Sequence, residues 1–197
     1  MNIHITQGSG KMQGIQSINT STINNDFCSK MRTTDSVCSK CYAARYESFR
    51  KPLHEALVRN SKVLSESILP THELPFFNSN IVRFDGFGEL INDRHLKNLS
   101  NIARKNEHAI FTLWTKQQKL VRDTFKNFEK PSNLILIYSS LLINQEAKKP
   151  LYFDKVFTVY DKKTAENVEI NCGSKSCLNC RICYSQNDIE FVREILK

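Results

Sequence analysis

The chain has 197 residues, 40% of them hydrophobic and 24% charged, which suits one globular domain with a full core and is short for two. Its formal charge of +8 and pI near 9.1 admit an acidic or phosphorylated partner, but the lysines and arginines are scattered rather than gathered in blocks. The longest apolar run, Leu134 to Ile137 with Tyr138 after it, is far too short to span a bilayer, so no membrane segment is expected.

The opening Met1-Asn-Ile-His-Ile-Thr-Gln-Gly has neither a basic start nor an apolar core, and is not read as a signal peptide. Weak alternation over Gly14 to Thr20 predicts a short first strand, followed by a loop carrying cysteines. Pro52 opens a helix whose apolar positions are Leu53, Leu57, Leu64 and Ile68, with Pro70 beyond its end. From residue 80 strand and helix alternate. Ile81–Asp85 is a strand, then a helix carries Leu96, Leu99, Ile102 and Ala103 on one face. Ala109–Trp114 is a strand, then Gln117–Phe128 a helix buried through Leu120, Val121, Phe125 and Phe128. Leu134–Tyr138 and Val156–Tyr160 are further strands, and Val168–Ile170 is a short last one. Asn187 to Lys197 reads as a closing helix buried through Ile189, Val192 and Leu196.

Strands alternating with helices imply an α/β fold with a mostly parallel sheet. Val82, Phe84, Phe111 and Leu113 would meet the helices, while Arg83 and Asp85, and Thr112, Trp114 and Lys116, would point to the other face. A partial (β/α) barrel over residues 1–170, with function on the loops after its strands, fits best; a doubly wound open sheet is the alternative. Residues 171–197 form a cysteine-rich C-terminal extension.

The seven cysteines fall into two sets, Cys28, Cys38 and Cys41 near the start and Cys172, Cys177, Cys180 and Cys183 near the end. Without an export signal this pattern favours metal binding in the reducing cytosol over disulfides. The Cys-x2-Cys-x2-Cys run presents thiolates to several irons of one cubane, whereas zinc sites favour two separated Cys-x2-Cys knuckles. A four-iron cluster is therefore read ahead of zinc, and zinc ahead of unligated thiols. Seven thiolates around two dicationic clusters would lower the net charge to about +5. The first set is one ligand short of four, and His4, His54, His72, His95 and His108 all lie away from knuckle spacing. Gly86-Phe87-Gly88-Glu89, between a strand and a helix, lets backbone approach a ligand and offers a carboxylate to an ammonium group. Lys116 and Ser139, at the ends of later strands, would line the same site; Trp114 reads equally as core, and Ser139-Ser140 reads more readily as a plain turn. Arg83 and Asp85 are read as a bracing ion pair, and Tyr42 and Tyr184 as shields beside their cysteines.

Taken together, the three early cysteines and the Gly-x-Gly-Glu stretch resemble the radical S-adenosylmethionine (SAM) superfamily. In that superfamily three cysteines after the first strand bind a [4Fe-4S] cluster whose fourth iron takes the amino and carboxylate groups of SAM. A Gly-Gly-Glu-type stretch after the second strand contacts the methionine amino group. Phe84 to Asn92 is similar to the version in the RNA adenosine C2-methyltransferases. The nine residues between Cys28 and Cys38 are similar to the elongator catalytic subunit's spacing, and Leu90 stands where proline is common. A closer likeness is to the small phage family called gene product eighty-eight. It rests on the opening cysteines running into Cys41-Tyr42-Ala43, the strand ending at Gly88-Glu89, Phe111-Thr-Leu-Trp-Thr-Lys116, and the terminal Cys-x2-Cys-x2-Cys-aromatic.

The resemblance implies a phage or prophage protein in the bacterial cytoplasm, with a radical-SAM-like partial barrel and two [4Fe-4S] clusters. Gly86, Gly88, Glu89, Lys116 and Ser139 would hold SAM or another small ligand at the open N-terminal cluster, with an electron donor as partner. Radical SAM-type chemistry is the enzymatic expectation. The rivals are a non-enzymatic iron–sulfur protein for electron transfer, redox sensing or host-factor binding, and a zinc-stapled module on nucleic acid.

Overall fold

β-Branched and aromatic runs form the strands, and amphipathic stretches the helices, in the computed structural model, which describes residues 3–196. The strands are β1 (Ile5–Gln7), β2 (Gln16–Ile18), β3 (Ile81–Phe84), β4 (Ile110–Thr115), β5 (Leu134–Ser139), β6 (Lys155–Tyr160) and β7 (Phe191–Ile195). The helices are α1 (Asp26–Arg32), α2 (Tyr42–Phe49), α3 (Lys51–Glu66), α4 (Asp93–Lys105), α5 (Gln118–Phe125) and the single turns α6 (Lys162–Ala165) and α7 (Cys177–Cys180). All seven strands form one sheet in chain order, β1 antiparallel to β2 and every later neighbour parallel. The fold is α/β with a mostly parallel sheet. The strand order never reverses, so the doubly wound alternative does not occur.

The two faces of the sheet are covered differently. Val82, Phe84, Phe111, Leu113, Leu134 and Leu136 share a core with Val63 and Leu64 of α3, Leu96, Leu99 and Ile102 of α4, and Val121 and Phe125 of α5. Helical spacing of those residues, rather than intrinsic propensity, is what holds the helices there. α4 also has Asn92 as its cap, accepting from His95 N at 3.0 Å, with Asp93 in its first turn and Arg104 and Lys105 in its last. On the opposite face Ile15, Ile81 and Trp114 pack against Cys177, Leu178, Cys183 and Tyr184. Val82, Phe84, Phe111 and Leu113 meet the helices and Trp114 lies on the other face, as expected, whereas Asp85 departs from this division.

Two expected elements are absent among the described residues, one of them replaced by a strand. The closing helix expected over Asn187 to Lys197 is instead β7, in register from Val156↔Phe191 to Tyr160↔Ile195; Lys197, like Met1 and Asn2, lies outside the described residues. Val192 is buried as expected, but Ile189 is exposed. The free edge of β6 supplies backbone partners that outweigh a weak helical pattern. Val168–Ile170, among exposed polar residues, forms no strand. β1 was not anticipated, because three residues with one exposed position leave too little alternation to read.

Candidate functional site

Four adjacent parallel strands end at one edge of the sheet, and their loops carry every residue expected to bind a ligand. The chain leaving β2 runs through Asn19–Asn25 into α1, which bears Cys28. Asn25 caps α1, its side chain accepting from Cys28 N at 3.1 Å and donating to Glu89 O at 2.8 Å, so one residue links the first cysteine to the loop after β3. Ser36 plays the same part for Cys38, accepting from its N–H at 3.2 Å, and Cys41 N donates to Cys38 O at 3.1 Å.

The loop after β3 is stitched to residues 19–22. Thr20 N donates to Phe87 O, Phe87 N to Asn19 Oδ1 and Gly88 N to Thr22 Oγ1, at 3.0–3.2 Å. Gly88 has φ of +91° and presses on Thr20 so closely that a Cβ would stand 2.0 Å from Thr20 Oγ1; only glycine satisfies both demands. Glu89 is then turned inward and buried. Its Oε1 accepts from Leu90 N at 2.8 Å and Thr115 Oγ1 at 2.5 Å, and its Oε2 from Lys116 N at 2.8 Å. Three of the roughly four acceptor positions of a carboxylate are thus filled, leaving one on Oε2. Lys116 Nζ donates to Ser139 Oγ at 3.0 Å, joining the ends of β4 and β5.

Electrostatics tie these groups to the thiols. Burial raises the Cys28 thiol above its ordinary range, and the Glu89 carboxylate, Cys41 and Cys38 push it the same way, with Lys116 opposing. Cys38 is raised chiefly by burial, against Lys116 and with Cys41 adding. Burial also raises Glu89, while Lys116 and the three donors work against the shift. Cys28, Cys38, Cys41, Glu89 and Lys116 are therefore one electrostatic neighbourhood, together with Gly88 and Ser139. Gly86 sits at its rim, its carbonyl accepting from Tyr42 Oη at 3.4 Å. Tyr42, beside Cys41, is 59% exposed, whereas Tyr184, beside Cys183, is 4% exposed and buried.

The four C-terminal cysteines form the second neighbourhood. Burial, then Cys172, pushes the Cys183 thiol up to about 12, against the opposing Arg83 guanidinium. Burial raises Cys172 and Cys177 as well, with Lys11 opposing in both cases. Lys11 Nζ donates to Cys172 Sγ at 3.2 Å and pairs with Glu194 at 2.9 Å. Arg181, at φ +56°, turns the chain between Cys180 and Cys183.

Arg83 stands beside the C-terminal neighbourhood, opposing the shifts of Cys177 and Cys183. Its guanidinium lies over the Trp114 ring at 4.2 Å and Nη1 reaches Met12 Sδ at 3.8 Å; burial acts to lower its pKa, but Tyr184, Tyr42 and Cys183 raise it overall. It is not ion-paired with Asp85 as expected. Asp85, at φ +48°, turns away, accepts from Thr20 Oγ1 at 2.8 Å and aims Oδ2 at His95 Nε2, 3.9 Å distant. Both of those atoms are buried without a hydrogen-bond partner, as is Arg83 Nε. Ser140 bonds Leu142 O and Gln145 O, making the turn anticipated for it.

Thr115, Asn25, Thr20, Lys11 and His95 belong to these networks without having been singled out. Asn25 alone carried a local sign, a capping residue three positions before Cys28; the others are brought in by strand register and by the loops. Among the described residues, no three His, Cys, Asp or Glu side chains form a group able to hold a single metal ion, and no helix is long and apolar enough to cross a membrane. No curated protein and no solved structure matches the chain. The Gene product 88 model does match, over residues 4–188, and the chain belongs to that family.

Proposed function

We propose that this is a phage iron–sulfur protein in which Cys28, Cys38 and Cys41 hold one [4Fe-4S] cluster and Cys172, Cys177, Cys180 and Cys183 hold another. The N-terminal cluster would keep one iron for SAM or another small ligand. The observation that carries this reading is the gathering of three thiols, a buried carboxylate and a lysine at the C-terminal ends of β2 to β5. That edge is where parallel α/β sheets place their ligands, and sequential strands with helices on one face suit a partial barrel of radical-SAM type.

The donor set fits the cofactor. Clustered thiols that raise one another's pKa are a set that a bound cation relieves. A cubane takes each thiolate on a different iron, so its ligands stand farther apart than the corners of a single-ion tetrahedron. A cluster bound at the N-terminal set supplies one-electron chemistry to the ligand on its open iron. The chain's own part is to orient and enclose. The free position on Glu89 Oε2 accepts an ammonium group, Gly86 and Gly88 form the tight turn that presents Glu89, and Lys116 balances the carboxylate and thiolates.

One observation favours a non-enzymatic version, with the clusters serving electron transfer, redox sensing or host-factor binding. Glu89 already has three donors, so bracing the β3 and β4 loops is a sufficient role for it. Anaerobic purification decides the metal: brown protein with absorbance near ~400 nm and about eight irons per chain is expected. Colourless protein with stoichiometric zinc would sink both iron readings. Cys28→Ala should lose one cluster and keep the other; losing both would mean the two cysteine sets share a site. Reduced protein incubated with SAM should release 5′-deoxyadenosine. No cleavage, with an EPR spectrum unmoved by SAM, would reject the enzyme and leave the carrier.

A further inference from the structure

The surface of α2 carries a pattern that core packing does not account for. Tyr42, Tyr46 and Phe49 recur at i, i+4 and i+7, hence on one side of the helix, and are 59%, 47% and 78% exposed. Scattered exposed apolar residues are ordinary, but three aromatics in a row are a patch. Lys40, Arg45 and Arg50 stand around them, and the groove they share, about 800 Å³, has no carboxylate in its lining. The helix's one acid, Glu47, is turned inward. It is 1% exposed, accepting from Ser21 Oγ at 2.5 Å, Thr22 N at 2.7 Å and Ile23 N at 3.2 Å, with His54 at 2.9 Å. The outward face carries aromatic and basic side chains with Ser48, and no carboxylate.

Tyr42 and Tyr46 are held in place by neighbouring groups, while Phe49 projects into solvent. Tyr42 meets Phe87 edge-on at 5.7 Å and Tyr46 at 6.5 Å, its hydroxyl donates to Gly86 O, and the Arg50 guanidinium lies 5.1 Å from the Tyr46 ring centre. Seven residues of helix set the outer rings about 10 Å apart along the axis, room for roughly two or three bases at ~3.4 Å spacing. Aromatic faces for bases with cations for phosphates are the two requirements for binding a single strand.

We propose that α2, with Lys40 and Arg50 flanking it, is a binding platform for single-stranded nucleic acid, bases on Tyr42, Tyr46 and Phe49 and phosphates on Lys40, Arg45 and Arg50. Charge complementarity selects this occupant over an apolar partner, since three cations border the rings. The platform needs no metal and stands apart from the iron–sulfur reading, although Cys41 lies in the same groove and a bound strand would pass beside it.

The test is fluorescence anisotropy of the full-length protein with labelled ~12-nucleotide oligothymidylate and oligouridylate, which separate DNA from RNA. At least one should bind, and raising KCl from about 50 to 200 mM should weaken it roughly 20-fold, the effect of releasing ions from about three phosphates. Tyr46→Ser and Phe49→Ser should each weaken binding roughly 5- to 100-fold, with Tyr46→Phe and Phe49→Trp restoring it. Arg45→Gln with Arg50→Gln should flatten the salt dependence. These side chains are exposed, so unchanged thermal melts are expected for every variant. No binding to either strand overturns the proposal. So does binding that survives loss of both rings, the mark of a diffuse basic surface, or equal affinity for a duplex of the same length. Self-association of the wild type abolished by Phe49→Ser, without strand binding, would instead make this face a contact between copies.

Discussion

Replacing Asp85 by asparagine should make the protein acid-labile, because it removes the counterweight to a buried histidine. His95 is fully buried, and its Nδ1 accepts from Ile91 N at 3.3 Å, which puts the ring proton on Nε2. Burial pushes its pKa from 6.5 down to about 3. The unfolded chain therefore takes up a proton below about pH 6.5 that the native state refuses. Stability from His95 falls as pH drops through that value, by about 1.4 kcal/mol per unit, or about 2 kcal/mol by pH 5. Asp85 acts in the opposite sense. Burial raises its carboxyl well above 3.8 despite the Thr20 hydrogen bond, so the native state keeps a proton that the unfolded chain releases. Its contribution is present at low pH and is lost as pH rises through the native value. The two slopes offset each other wherever Asp85 stays protonated. Asparagine keeps an acceptor for Thr20 and tolerates φ +48°, so the variant should fold. Urea unfolding followed by circular dichroism should show Asp85→Asn losing more stability than wild type as pH falls from about 6.5 to 5. Parallel pH profiles for the two chains would refute the opposed pair. An imidazolium signal from native His95 near pH 5 would do the same.

Gly88→Ala should destabilise the fold by about 3 kcal/mol or more, since it adds strain at φ +91° to a clash with Thr20; a loss under about 1 kcal/mol in urea would show that the loop yields easily. Arg83→Lys should not replace Arg83, because the stacked plane over Trp114 is lost. Trp114 is the only tryptophan, so a shifted emission and about 1–2 kcal/mol of lost stability report on it directly. Glu47→Gln should cost about 2 kcal/mol and speed amide exchange at Thr22 and Ile23, whose N–H groups Glu47 holds; unchanged exchange there would remove its role as a clamp.

Legibility in the sequence followed the range of the interactions. Helices α3, α4 and α5 were readable because their apolar spacing is local and their burial faces are continuous. β7 was misread because Ile189, Val192 and Leu196 also recur at helical spacing, and only the open edge of β6 favours a strand. The candidate site was half visible. The cysteines, Gly86, Gly88, Glu89, Lys116 and Ser139 could be named from residue type and position. That Glu89 is held by Thr115 and Lys116, or that Lys11 reaches Cys172, depends on partners 26 and 161 residues away. Arg83 and Asp85 were paired on paper because they share a strand face. The positive φ of Asp85 rotates it out of that alternation, toward Thr20 and His95.

The sequence by itself determined the α/β class, the division of seven cysteines into three and four, the family, and the absence of a long apolar run. Each is written in composition, local period or short spacing, where neighbours along the chain carry the information. Tertiary structure alone decided that the strands lie in unbroken order, and that the C-terminal cysteines fold over the face the helices leave open. It also decided that Arg83 stacks on Trp114 beside the C-terminal thiols, and that Glu47 turns inward and leaves α2 basic and aromatic outside. Those outcomes turn on which distant groups can satisfy a buried charge. A carboxylate or guanidinium removed from water takes its position from its partners, and the partners are gathered by the fold.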